Sequence, residues 1–236
     1  MSLNTDNRIH LFAGPTLYGL PKHVRSDPNI IGHLPVKRRD IESLVVNNSP
    51  GIIVIVDGIF HTHPAVGHSE IMAAMACGWE LWGLSSLGAI RAVEMERYGM
   101  KGYGKVYAAF RDDGLSDDEV TLIHQVEEPF FPLSEPLIHI RQFVAHAIAS
   151  GDIAEQDGVA LISRMKKMWY ADRTLQKLRN LMLQMGMNQE YVDRQIVDFD
   201  RFRIKRLDLI EFLKEAPWIW PHDSAESTLE DAVVPQ

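Results

Sequence analysis

The chain has 236 residues, 46% of them hydrophobic and 24% charged, which suits a globular protein with ample material for a buried core. Its net charge of −8 argues against the basic stripe that a nucleic-acid backbone requires, and its single cysteine, Cys77, forbids an intrachain disulfide or a multi-cysteine metal site. No apolar run reaches the ~20 residues of a membrane span and no signal peptide precedes Ile9, so a soluble, cytoplasmic protein is expected, with no membrane or nucleic-acid partner.

Residues 8–13 are short and apolar and run into Gly14-Pro15-Thr16, predicting a first strand closed by a glycine turn. Residues 29–36 are a weaker strand candidate, and 39–47 predict a short helix with Ile41, Leu44 and Val45 at helical spacing. The rest of the chain is organised around residues 51–95. There Gly-Ile-Ile-Val-Ile-Val-Asp-Gly (51–58) predicts a strand apolar on both faces, followed by a helix over 64–77 and a strand over 79–84. The turn Ser85-Ser86-Leu87-Gly88 then leads into a helix over 89–96. Such strands belong to a buried parallel sheet covered by helices, with ligands at the carboxyl ends of the strands. Asp57 ends one of these strands and Ser85-Ser86 the next, so a site is expected there.

In the helix after Asp57, His68, Ile71, Met72 and Met75 share one stripe, which turns His68 towards the sheet. Glu70 lies about 200° round the helix from His68 and reaches a partner only from the first turn. Beyond the glycines at 99, 102 and 104, residues 111–119 are acidic, Ser116-x-x-Glu119 reads as a capping box, and 119–126 lean towards a strand. Ser134-Glu135-Pro136 predicts a helix start with Ser134 as N-cap. That helix buries Leu137, Ile140, Val144 and Ile148, and Arg141 within the stripe needs a buried anion or must snorkel out. Further helices are predicted over 159–170, 175–185, 191–199 and 207–213. The fold class is therefore α/β, a Rossmann-like, mostly parallel sheet with helices on both faces over residues 8–150. A C-terminal helical subdomain or arm follows over 151–216, suited to homodimer formation or partner docking, then a disordered tail over 217–236.

Asp57, beside a glycine at a strand end, is the leading position for chemistry, with a turn former as its bland alternative. Ser85, Ser86 and Gly88 precede a helix whose free N–H groups favour an anion, although a capped turn explains them almost equally well. The G-x-S-x-G elbow is absent, so neither serine reads as a nucleophile. Arg91 and Glu94 are i, i+3 neighbours on one helix face. Cys77 reads as a core thiol. His61 and His63 with Asp57 offer a zinc-like grouping, but H-E-x-x-H is missing and no metal is expected.

These pieces include Leu11-Phe12-Ala13-Gly14-Pro15-Thr16, Asp57-Gly58-Ile59-Phe60 and Pro64-Ala65-Val66-Gly67-His68-Ser69-Glu70-Ile71. They continue with Gly83-Leu84-Ser85-Ser86-Leu87-Gly88-Ala89-Ile90-Arg91-Ala92-Val93-Glu94 and Gly99-Met100-Lys101-Gly102-Tyr103-Gly104. Asp117-Asp118-Glu119-Val120 and Pro132-Leu133-Ser134-Glu135-Pro136, with Arg141 following, complete the series. Together they resemble the TfuA family from Ile9 to Ile148, with Leu87 where methionine is expected and Gly67 where the family often carries a bulky residue. The resemblance implies an accessory partner of a YcaO-type enzyme, which uses ATP to activate a peptide amide so that sulfur replaces oxygen, giving a thioamide. ATP and Mg are then expected on the YcaO partner, and no cofactor on this chain. The resemblance further implies that the protein engages the thiocarboxylate of a ThiS-like sulfur carrier and releases sulfide.

Under that reading a Gly-Gly-COS⁻ tail can place its charge on Arg91 or Arg141 and on the amides near Ser85–Gly88, while Gly14, Gly58 and Gly88 leave room for its backbone. Asp57, His68 and Glu70 are the candidate bases for a hydrolytic water. The alternative is a non-catalytic adaptor that docks precursor peptide or carrier onto the YcaO enzyme. A nucleotide-binding α/β enzyme is a third reading, disfavoured because neither G-x-x-x-x-G-K-[ST] nor G-x-G-x-x-G is present.

Overall fold

A computed structural model describes residues 8–21, 24, 27–59 and 63–219. Among them, β1 (Ile9–Phe12), β2 (Ile30–His33), β3 (Ile52–Ile55), β4 (Glu80–Leu84) and β5 (Lys101–Tyr103) form one sheet in the order β2-β1-β3-β4-β5. Every pairing is parallel, with Ile9 opposite both Ile30 and Ile52, and Ile52 opposite Glu80. The described helices are α1 (Asp40–Asn47), α2 (His68–Ala76), α3 (Leu87–Met95), α4 (Gly104–Asp113), α5 (Leu137–Ala149), α6 (Glu155–Lys166), α7 (Leu175–Gln184), α8 (Gln189–Val197) and α9 (Ile204–Glu215). This is the expected α/β class, and none of these helices is long and apolar enough to cross a membrane.

The composition of β3 explains its place. Ile53 and Ile55 project to one face and Val54 and Val56 to the other, all at 0% exposure, so a continuous apolar run meets cover on both sides. On the first face Ile53, Ile55 and Leu81 pack with Ile41 and Leu44 of α1, Ile71 and Ala74 of α2, Ala89 and Ile90 of α3 and Val106 of α4. On the second, Val54, Trp82 and Leu84 pack with Leu209 and Phe212 of α9. A separate core joins Leu137, Ile140 and Phe143 of α5 to Leu161 and Met165 of α6, Leu178 and Met182 of α7 and Val192 of α8. The helical core thus begins with α5, and α9 leaves it to close the sheet.

Several local expectations change. The glycine-spaced stretch forms β5 and α4, because Gly104 takes φ +90° and turns the chain from strand to helix beside Asp208. Residues 119–126 are not a strand. A 3-10 turn (Asp117–Glu119) leads into a loop that folds back on 130–134, where Pro132 offers no N–H and only an isolated bridge, His124 to Pro132, forms. Ser116 and Glu119 make no capping box; the Glu119 carboxylate is buried elsewhere. α5 starts after Pro136 rather than after Ser134, whose hydroxyl accepts a hydrogen bond from Ile123 N at 2.9 Å. In α2 the buried positions are Ile71 and Ala74, while Met72 is 45% exposed and the His68 side chain 53% exposed. Cys77 is exposed at the end of α2, not in the core. Beyond residue 219 the expected tail lies outside the described residues, as does His61.

Candidate functional site

In a 2-1-3-4-5 sheet the order reverses between β1 and β3, and the crevice beyond their carboxyl ends is where such folds bind ligands. Asp57 follows β3 and Gly14-Pro15-Thr16 follows β1, so topology alone brings them together. The Asp57 carboxylate accepts hydrogen bonds from Gly14 N (2.9 Å), Thr16 N (2.9 Å) and the Thr16 hydroxyl (2.8 Å), capping the 3-10 turn Pro15–Leu17. Its main-chain oxygen accepts from Val36 N (2.9 Å), tying in the loop after β2. The Lys205 ammonium, from α9, lies 3.7 Å from Asp57 Oδ1 and donates to Val120 O at 3.0 Å. Both side chains of this ion pair are buried. Burial pushes the Lys205 ammonium below the usual lysine range, and the Asp57 and Glu135 charges offset this only in part.

A cavity of about 370 Å³ opens over this pair. Asp57, Ser86 and Lys205 form its polar end; Leu34, Ile59, Val120, Leu122 and Phe130 are among its apolar walls, and His63 and His124 also line it. Residues 120–124, with Val126 and Phe130, line it, so the loop that stands in place of the expected strand lies over the crevice. Val126, at that rim, is 89% exposed.

The turn after β4 is sharp. Ser86 N donates to Leu84 O at 2.7 Å and Ser85 sits at φ +65°, a conformation that costs a non-glycine residue about 1–3 kcal/mol. A strained strand-to-helix bend is therefore present without the G-x-S-x-G motif. Ser85 Oγ donates to Lys205 O (2.8 Å) and is fully buried, so it anchors α9 rather than facing the cavity; Ser86 is the serine that does.

The other residues singled out from sequence fall into three places. His68 Nε2 and Arg91 Nη1 both contact Glu94 Oε2, at 2.8 and 2.5 Å, forming an exposed cluster on α2 and α3 that does not line the cavity. Arg91 Nε also donates to Val66 O (3.0 Å). Glu70 accepts from Gly67 N (2.8 Å) and Arg39 N (2.9 Å), so its carboxylate joins the start of α2 to the loop before α1. Arg141 Nε and Nη2 clasp Glu119 at 2.5 and 3.1 Å, so the anion that its buried stripe required is the protein's own carboxylate. The room expected at Gly14, Gly58 and Gly88 is also filled from within: an added Cβ would meet Pro35, Leu87 and Ile55 O respectively. At Gly88 this close approach lets α3 lie directly on β3, and Gly88 N donates to Val56 O (3.2 Å). Among the described residues, no three His, Cys, Asp or Glu side chains gather as a metal site.

Sequence reasoning missed Lys205, which the helical pattern places among residues normally read as solvated, and the network behind it. There Glu135 accepts from His139 Nδ1 (2.9 Å) and Arg203 Nη2 (2.5 Å), all three side chains being largely buried. Burial of His139 holds its imidazole down at about 4, despite the Glu135 carboxylate beside it. Burial works to raise the Glu135 carboxyl, but His139 and Arg203 outweigh it and lower it.

The site is thus that of an open parallel α/β protein whose ligand crevice lies at a topological switch point. A family model described as TfuA-like protein matches residues 57–174, half of the chain, and the chain belongs to the TfuA-like family. Among curated proteins none matches it. The matched stretch contains Asp57, Ser86 and the cavity roof, while Gly14, Thr16 and Lys205 complete the site from either side of it.

Proposed function

We propose that this protein acts as the accessory partner of a YcaO-type enzyme in ATP-dependent peptide thioamidation, receiving a thiocarboxylated, ThiS-like sulfur carrier and hydrolysing its tail to release sulfide. Membership of the TfuA-like family carries this reading. The cavity supports it, because a small, mainly apolar hollow that also carries Asp57, Ser86 and Lys205 suits a singly charged chain end.

In the reaction, water oxygen bonds to the thiocarboxyl carbon, the C–S bond breaks, sulfur departs as hydrosulfide and one proton is released. Asp57 is a poor base for that water, since three hydrogen bonds and an ammonium already engage its oxygens; its role is to position Lys205 and the β1 loop. His124 suits the task better. Its Nδ1 lies 2.7 Å from Gln125 O, which fixes the proton on Nδ1 and leaves Nε2 to accept one. His124→Ala is expected to slow sulfide release from a thiocarboxylated carrier by about 10²-fold or more, in the range of lost general-base catalysis. His68→Ala, outside the cavity, is expected to leave that rate within about threefold of the parent, because its side chain reaches no cavity group. A sulfide electrode reads both. No release from the unaltered protein, with or without its YcaO partner, rejects the hydrolytic reading.

One observation favours the adaptor reading instead: Leu34 and Val126, exposed at the cavity rim, offer apolar surface to a partner. Complex formation with carrier and YcaO enzyme, without sulfide release, is its signature.

A further inference from the structure

An ammonium carries three N–H donors. Lys205 directs one at Val120 O (3.0 Å) and another towards Asp57 Oδ1 (3.7 Å), which leaves a third without a partner among the described residues. Asp57 is already satisfied by Gly14 and Thr16, so it does not require more of the ammonium than this loose contact. Beside them Ser86 is 2% exposed and lines the same cavity, and its hydroxyl makes no hydrogen bond within the described residues. A buried ammonium with an N–H to spare and a serine hydroxyl that opens on the same apolar hollow form an incomplete shell that an anion completes. Arg91 and Arg141, the cations that sequence alone suggests for this task, are engaged by Glu94 and Glu119 and do not line the cavity.

We infer that Lys205 and Ser86 are the anion anchor of the cavity, and that they select a chain end carrying a free carboxylate or thiocarboxylate over an amidated end or an internal segment. The inference rests on the function proposed above for the source of that chain end, and it assigns recognition to a residue outside the stretch the family model matches. The cavity volume of about 370 Å³ lies at the small end of the roughly 300–1,000 Å³ of ligand pockets, which suits a few small residues rather than a folded surface.

The test is calorimetric titration of the full chain with a hexapeptide ending in Gly-Gly, as free carboxylate and as amide. The carboxylate is expected to bind at least about tenfold more tightly, the discrimination of one charge-assisted hydrogen bond. Ser86→Ala, which leaves the Asp57–Lys205 pair intact, is expected to weaken the carboxylate by about threefold without altering the amide, so that part of the preference remains, and Lys205→Met to abolish it. Because Lys205→Met strands a buried carboxylate and can unfold the chain, the comparison of the two peptides on the unaltered protein decides the matter by itself. Equal affinities, or no binding of either peptide, overturn the inference. So does a Ser86→Ala protein that keeps full preference. Sulfide release separates the two proposals: carboxylate selection without release rejects the function and keeps the anchor, whereas release that persists undiminished in folded Lys205→Met does the reverse.

Discussion

His139 and Asp208 pull the pH dependence of stability in opposite directions. Burial raises the Asp208 carboxyl to about 6, although its Oδ2 accepts from Val106 N at 2.8 Å. Between about 4 and 6 the folded chain therefore holds a proton at Asp208 that the unfolded chain has lost, and stability falls as pH rises. His139, held at about 4, is neutral in the fold where the unfolded imidazole is charged, so its contribution rises with pH between about 4 and 6.5. Each spans roughly 3 kcal/mol, and over pH 4–6 they largely cancel. Asp208→Asn keeps an acceptor for Val106 and removes one side of this balance. Its melting temperature, measured by circular dichroism, is expected to climb more steeply from pH 4 to 6 than that of the parent. Neither group could be singled out from sequence, since a histidine and an aspartate in helical stretches are usually solvated; only the packing of α5 and α9 buries them.

The element that joins the sheet to the helical core is the turn Asp117–Glu119, with Glu119 at 0% exposure between Arg141 of α5 and Lys166 of α6. The two cations are not equivalent. Arg141 makes the bidentate clasp, whereas Lys166 is 46% exposed and can return to water. Arg141→Ala is expected to cost about 2–4 kcal/mol in urea unfolding, because a buried carboxylate keeps only its weaker partner. Lys166→Ala is expected to cost about 1 kcal/mol or less. Equal losses would show that the clasp does not dominate. The need was legible in the sequence, since an arginine inside the stripe Leu137, Ile140, Val144 demands a counter-charge. Its source was not, because Glu119 sat in an acidic run that reads as a solvated loop. The central strands were equally legible from β-branched runs, whereas β5 is only Lys-Gly-Tyr and owes its existence to pairing with β4.

At the scale of the whole molecule, α9 decides whether there is a site. Its Leu209 and Phe212 are fully buried against the second face of the sheet, each stabilising by roughly 1.5–3 kcal/mol, and its Lys205 completes the cavity. Truncation after Arg203 is expected to expose Val54, Trp82 and Leu84, and to replace one cooperative unfolding transition by a broad one with strong dye binding. A sharp transition in the truncated chain would show that α9 is dispensable to the fold. The strand-end half of the site was readable because parallel topology forces Asp57 and Gly14 together. The other half comes from 148 residues later in the chain, a contact that no local pattern announces.

That separation bears on how the protein is made. A ribosome lays down the acid of the pair 148 residues before its cation, so a growing polypeptide can build the five described strands while the pocket is still unfinished. The pocket gains its ammonium only once α9 has been made.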